Sequence, residues 1–259
     1  MEKHVIRHFI KYIIKQLPFV DCTHKKIKKY KNFIKEFHAF KSGNKTNRFE
    51  IRWEDRYPCL NDKTSNILFD THYIFHTAWA ARILVNTKPR EHIDISSSLF
   101  FVALVSAFIP IKYFNYRSVN LKISGLRCVT ADILALPFPD ASISSLSCMH
   151  TVEHIGLGRY GDPIDSDGDL KAISEIKRVL AIGGTLLFVV PIGQPRIEFN
   201  AHRIYHYDQI ISYFEGFELK NFSLIPDHPK NRCLIENASR EMATAQEYGC
   251  GCFWLNKIK

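Results

Sequence analysis

Apolar and polar positions alternate along most of this chain in two distinct rhythms. Helical spacing places Val5, Ile6, Phe9, Ile10, Ile13, Ile14 and Leu17 on one face, with Lys3, Arg7, Lys11 and Lys15 opposite. Pro18 ends that pattern. A second stripe follows, with Ile27, Tyr30, Phe33, Ile34, Phe37 and Phe40 on one side and lysines on the other. Residues 48–70 are mixed and predict extended or looped chain around Trp53 and Pro58.

Beyond Asp70 the rhythm changes. Asp70 is placed to cap a helix from Thr71 to about Asn86. Predicted strands follow at 91–95, 111–116, 127–131, 142–149, 185–190, 217–224 and 250–255. Predicted helices lie at 98–108, 169–180 and 207–214, the second ended by Gly183-Gly184. Alternating helices and strongly apolar strands predict a mostly parallel sheet of about seven strands, covered on both faces. In such sheets ligands bind beyond the carboxyl ends of the strands. The expected organisation is a basic helical extension over 1–47 and one α/β domain over 48–259.

Charge sharpens that division. Residues 1–41 hold eleven Lys/Arg against three Asp/Glu, so they carry +8 of the +9 net charge. A nucleic-acid-binding domain carries its basic stripe on the folded body, so no nucleic-acid partner is expected. A basic head with apolar stripes instead predicts an anionic membrane surface as partner; the rival reading docks the stripes on the domain and leaves the lysines solvated. The longest apolar run, about Leu99 to Ile111, is broken by Pro110 and too short to span a bilayer. No signal-peptide pattern is present, and the seven scattered cysteines suggest a reducing compartment. The expected location is therefore cytoplasmic, peripheral at the inner membrane face. Cys250 and Cys252 read as one face of a strand. No oligomeric state follows from the sequence.

Four ordered stretches carry a resemblance: HIDISSS at 92–98, FNYRS at 114–118, TADILALPFPDASI at 130–143, and SCMHTVEHIGLGRYGD from 147 with DLKAISEIKRVLAIGGTLLFVVP from 169. They resemble class I S-adenosylmethionine (SAM) methyltransferases, with a Rossmann-like fold. More narrowly, HTAWAARIL, VEHIGLGRYGDP, FNAHRIY and YGCGCFW resemble the DUF268 family, whose bacterial members look like proteins encoded among surface-polysaccharide genes. The resemblance implies SAM as cofactor and methyl transfer to a polar acceptor, such as a hydroxyl of a glycan precursor.

Each stretch also has a reading from its own chemistry. A nucleotide-type cofactor needs a tight turn into a helix N-terminus. Asp94 stands at that turn, with Ser96 and Ser98 where the family pattern has glycines. Asn115 takes the place of the acidic residue that holds the ribose. Asp132, with Ile133, is placed to hold the adenine amino group, or only to cap a turn. His150, Glu153 and His154 follow the fourth strand, at the reactive end. The string matches an HxxEH protease motif, but a strand precedes it and glycines follow, so a metalloprotease is rejected. His154 or His150 is the candidate general base, with Glu153 beside them. A divalent metal held by His150, Glu153, His154 and His202 is the alternative, with His206 as a further ligand candidate. Arg159, Asp162, Asn200, His202 and Arg203 are the candidate acceptor contacts. Asp162, Asp165, Asp167 and Asp169 resemble a calcium loop with a misplaced glycine, and Asp167 or Asp169 reads as a helix cap. The remaining function class is a non-catalytic module that keeps the fold without the cofactor.

Overall fold

The computed structural model describes residues 21–46, 48–227 and 232–259. The first predicted helix, residues 3–17, lies outside them. The described chain falls into two compact units divided between Leu68 and Phe69, rather than at residue 47.

In the first unit, helix α1 (Asp21–Ser42) carries the second apolar stripe. Its middle turns are half-buried against the 3-10 turn Trp53–Asp55. Phe37 meets Trp53 edge to face at 5.0 Å, and Phe33 lies 6.4 Å from the same ring. This packing is why Trp53 belongs with the basic segment and why the division moves to Leu68. The ends of the stripe stay open, with Ile27 51% and Phe40 71% exposed.

The second unit is built on a seven-stranded sheet ordered β3-β2-β1-β4-β5-β9-β8. Its strands are β1 (His92–Ile95), β2 (Ile111–Asn115), β3 (Leu126–Thr130), β4 (Ile143–Met149), β5 (Leu180–Ile192), β8 (Phe217–Ile225) and β9 (Gly249–Lys257). The first five are parallel, and β9 runs antiparallel to both neighbours. Strand order reverses at β1, which pairs with β2 on one side and β4 on the other, so a crevice opens there.

Two cores cover the two faces, and period-two alternation assigns side chains to each. Leu186, Phe188 and Val190 enter the core beneath α4 (Gly168–Val179) and α5 (Tyr207–Tyr213). Leu187 and Val189 enter the other, with Trp79 and Leu84 of α2 (Thr71–Thr87) and Phe101 and Val102 of α3 (Leu99–Val105). Cys250 and Cys252 share this second face, as their spacing requires. Asp70 caps α2 by accepting from the Tyr73 amide at 3.1 Å.

Three local expectations are corrected. Helix α4 ends at Val179 and passes straight into β5, with Gly183 and Gly184 inside that strand beside its register shift against β4. Neither Asp167 nor Asp169 caps α4 with its side chain: Asp167 makes no cap bond, and Asp169 is buried against Tyr205. A hairpin of β6 (Arg196–Glu198) and β7 (His202–Ile204) and a short helix α6 (Arg240–Thr244) occupy stretches for which the pattern predicts nothing.

Candidate functional site

The carboxyl ends of β1, β2, β3 and β4 lie side by side, and each delivers one predicted residue. Asp94 stands opposite Tyr113 and Ser147 in the sheet, Asn115 opposite Thr130, and Ile95 opposite Cys148, two positions before His150.

At the β1 turn, Ser96 adopts the left-handed backbone usually left to glycine, φ 58°, and its Oγ donates to the Phe114 carbonyl at 3.2 Å. The turn forms despite the Cβ, because the side chain is tied back to β2. Asp94 is fully buried. It accepts from the Ser97 amide at 3.0 Å and from the Ser147 hydroxyl, so it holds the turn from beneath. Burial raises its carboxyl to about 6, and the Ser147 and Ser97 bonds only partly offset this. Ser98 is the N-cap residue of α3 without a side-chain cap bond. Asn115 donates from Nδ2 to the Tyr113 hydroxyl at 2.7 Å and accepts the Arg117 amide at 2.9 Å. Asp132 uses one oxygen on the Leu134 amide at 2.9 Å and is exposed.

These residues border two adjoining clefts: Ser96, Ser98, Asn115 and Thr151 line one of about 220 Å³, and Ser96, Asp132 and Ile133 line one of about 90 Å³. Asp132 brings a carboxylate to these clefts, and Asn115 an amide without charge.

Beyond β4 the chain opens a larger chamber of about 650 Å³, lined by Asp70, His72, His150, Glu153, His154 and Tyr248 among others. His150 sits in the left-handed region, φ 53°, directly after β4, and its amide donates to the Val189 carbonyl at 2.8 Å. Non-glycine residues are uncommon in this region, and histidine is among those that enter it most readily. Its Nδ1 lies 2.8 Å from Glu153 Oε1. His154 bonds through Nδ1 to the Ala201 carbonyl at 2.7 Å, and its Nε2 lies 3.8 Å from Glu153 Oε1.

Glu153 is 1% exposed, and its Oε2 has no partner among the described residues. Burial pushes its carboxyl up, but the bond and charge of His150, then the charge of His154, more than reverse this and hold it below the usual range. Burial holds His154 below the ordinary imidazole value, with Glu153 opposing. Burial, then the charge of His150, lowers His72 to about 4. Burial lifts the Tyr73 and Tyr248 phenols to about 12. His72 and His154 are therefore held toward the neutral form, and the Tyr73 and Tyr248 phenols stay protonated at neutral pH.

The other predicted contacts separate. Arg159 reaches the chamber wall, donating to the Ala201 carbonyl at 2.9 Å. Arg159 and Arg117 each lie over the Tyr160 ring, at 5.1 and 4.6 Å. His202 lines the chamber, its ring 6.3 Å from that of His154. Asn200 is exposed on the β6–β7 turn. Asp162 faces its own loop, accepting from the amides of Gly156, Gly158 and Tyr160 at 2.8, 3.3 and 3.1 Å. Arg203 is not open to a ligand. It is 4% exposed and donates to the carbonyls of Ile155 at 2.6 Å and Ser166 at 3.1 Å, which anchors the loop. His206 caps α5. His72, Tyr73, His76, Asp227, Tyr248 and Cys250 escaped the sequence reading. The legible signal was His72 and His76, four apart on one helix face.

The chain is similar to several known proteins. The model of the family described as "Caenorhabditis protein of unknown function, DUF268" matches residues 141–248, which span His150, Glu153, His154 and His202. An uncharacterized protein of Methanocaldococcus jannaschii is 33% identical over 98 residues, covering 36% of this chain and 38% of its own length. The chain thus spans well under half of that relative. Among solved structures, the 1,6-didemethyltoxoflavin-N1-methyltransferase of Burkholderia thailandensis, solved with 1,6-didemethyltoxoflavin and S-adenosylhomocysteine, superposes with a TM-score of 0.50 at 11% identity. That match covers 71% of this chain and 79% of the other. The N-methyltransferase NodS of Bradyrhizobium japonicum, in complex with S-adenosylhomocysteine, matches at 12% identity and a TM-score of 0.49, over 78% and 92% of the two chains. The likeness to the Burkholderia enzyme is one of fold: a Rossmann-like, mostly parallel seven-stranded sheet.

Proposed function

We propose that this chain transfers a methyl group from SAM to a polar acceptor, a hydroxyl of a glycan precursor of the surface-polysaccharide kind. One observation carries the reading: the nucleoside cleft and the histidine chamber share a wall. Tyr73, His150, His154 and Tyr160 line both. A cofactor at Ser96, Asn115 and Asp132 would therefore have its far end at the mouth of the chamber.

When bound, SAM supplies an electrophilic methyl group for in-line displacement. The protein's own work is positioning and proton removal. The β1 turn and Asp132 hold the nucleoside. Arg159, Tyr160 and His202 offer donors and rings to a polar acceptor. His154 is the candidate base. Its Nδ1 proton is committed to the Ala201 carbonyl, so Nε2 carries the lone pair, and Glu153 stands ready to stabilise the imidazolium. Attachment to an anionic membrane through residues 1–41 would bring the chain to lipid-linked substrate. No helix among the described residues is long and apolar enough to cross a membrane.

A second reading, a module that keeps the fold without the cofactor, is favoured by the neutral Asn115, whose amide is already engaged by Tyr113 and Arg117. Calorimetric titration with SAM and S-adenosylhomocysteine separates the two. Saturable one-to-one binding, weakened in Asp132→Ala, supports the enzyme. Absence of heat with both ligands sinks it and leaves the module.

A further inference from the structure

We infer that His72, His150 and Cys250 form a binding site for one zinc-class divalent ion in the wall of the histidine chamber. One ligand atom from each lies within 4.8 Å of the other two. The residues come from three separate elements: the first turn of α2, the end of β4 and the start of β9.

The tautomer of His150 is already the one a metal needs. Its Nδ1 faces the carboxylate of Glu153 at 2.8 Å, an acceptor, so Nδ1 carries the proton and Nε2 the lone pair. That Nε2 points to Cys250 Sγ, 3.4 Å away. Two ligands on one tetrahedral zinc, with Zn–S of about 2.3 Å and Zn–N of about 2.0–2.1 Å, stand about 3.5 Å apart. A metal-binding histidine whose other nitrogen donates to a buried carboxylate is the usual supporting arrangement. His150 takes this position with a left-handed backbone, φ 53°, directly after β4.

His72 closes the set. Its ring stacks on that of His150 at 5.6 Å and lies tilted to that of Tyr248 at 5.4 Å, and no hydrogen bond fixes it among the described residues. It must turn edge-on to coordinate. Two imidazoles and a thiolate select zinc or cobalt over magnesium or calcium. The Cys250 thiol proton leaves to solvent on binding. His72 and His150 line the chamber, so the fourth position faces it, the arrangement of a reactive rather than a purely structural zinc site.

This donor set differs from the one expected from the sequence. Glu153 supports His150 instead of binding directly, and His154 is committed to Ala201. The inference stands whether or not the chain transfers methyl groups.

The test uses the full chain, purified under reducing conditions and stripped with chelator, then titrated with cobalt(II). One equivalent should bind, with a thiolate-to-cobalt charge-transfer band in the near ultraviolet and tetrahedral bands in the visible. His72→Gln should abolish tight binding, and Cys250→Ser should remove the charge-transfer band. Glu153→Gln should weaken binding by about 10–100-fold. Cys252→Ser and Cys233→Ser should behave as wild type. If Cys250→Ser fails to fold by far-ultraviolet circular dichroism, the wild-type band beside its persistence in the other two cysteine variants decides. No cobalt uptake, a band that survives Cys250→Ser, or a band lost in Cys233→Ser or Cys252→Ser overturns the site.

Discussion

Glu153 Oε1 lies 2.8 Å from His150 Nδ1 and 3.8 Å from His154 Nε2, so one buried carboxylate faces two imidazoles with different duties. It holds Nδ1 of the first as a donor, and in the proposed reaction it would stabilise the charged form of the second. The two histidines should therefore respond differently to its removal.

For His154 the consequence is a pH profile. Burial holds its value below 6.5 and Glu153 opposes that shift. The neutral base is therefore abundant at pH 7, and kcat/KM should rise with pH through an acid limb centred below 6.5. His154→Gln should lose about 10²–10⁴ in rate together with the limb. Glu153→Gln should move the limb to lower pH, because the carboxylate that raised the value is gone. A limb unmoved in both variants would place the base elsewhere.

In the proposed cofactor placement Asn115 faces the ribose, and Asn115→Asp should tighten S-adenosylhomocysteine binding. The new carboxylate can accept from ribose hydroxyls, and a charged hydrogen bond contributes about 1.5–3 kcal/mol. The Tyr113 hydroxyl, which now accepts from Asn115 Nδ2, can turn to donate to the carboxylate instead. Calorimetry reads the difference. Weaker binding in the variant would mean that Asn115 contacts the cofactor through its donor.

Much of this was legible in sequence, for an identifiable reason. Parallel strands buried on both faces and amphipathic helices declare themselves by period, which is why His92–Ile95, Ile143–Met149 and Thr71–Thr87 lie where the pattern puts them. Asp94, Asn115, Asp132 and His150 follow, because the residue after a parallel strand falls at the ligand end by topology. The opposite wall was not legible. His72 and Cys250 reach the chamber only through the packing of α2 and β9 against β4, contacts that span 100 residues between His150 and Cys250. Arg203 was misread because an arginine beside Asn200 and His202 reads as surface. Local composition does not reveal that its guanidinium turns inward to satisfy backbone carbonyls.

Asp94 predicts a stability effect with a definite sign. Its folded value, about 6, lies above the ordinary 3.8, because burial penalises the charged form. The folded state therefore binds more protons between those values, and stability from this group is present below pH 4 and lost as pH rises through 6. The loss is about 3 kcal/mol at 1.36 kcal/mol per unit. Denaturant midpoints of wild type and Asp94→Asn, measured from pH 4 to 7, should diverge in favour of the variant as pH rises. A constant difference across that range would refute the assignment.

The loop that carries the chamber's outer wall depends on Gly156. It holds φ 81°, and a Cβ there would stand 2.0 Å from the Asp165 carbonyl oxygen. Backbone, not a flexible side chain, must move. Gly156→Ala should cost on the order of 1–3 kcal/mol in thermal unfolding. It should also loosen the Asp162 bonds to the Gly156 and Gly158 amides. Gly161→Ala is the informative control. Its φ is 84°, but nothing lies within 4 Å of the added Cβ, so it should lose less than Gly156→Ala. Equal losses would show that backbone conformation, not the clash, governs the site.

The basic head makes the last prediction. The aromatic middle of α1 is already engaged by Trp53, so on an anionic membrane this helix would offer charge more than apolar insertion. It carries seven lysines against two acidic residues. Each lysine near an anionic surface contributes roughly 1 kcal/mol. Several acting together should hold the protein on vesicles rich in phosphatidylserine at low salt. Raising ionic strength should release it, because the Debye length falls from about 30 Å at 0.01 M to about 8 Å at 0.15 M. In flotation assays neutral phosphatidylcholine vesicles should retain little. Replacing Lys25, Lys26, Lys28 and Lys31 with glutamine should cut binding steeply, whereas Trp53→Ala should change it little if charge dominates. Equal recovery on both vesicle types, or binding that survives the lysine replacements and high salt, would return the head to an ordinary solvated surface.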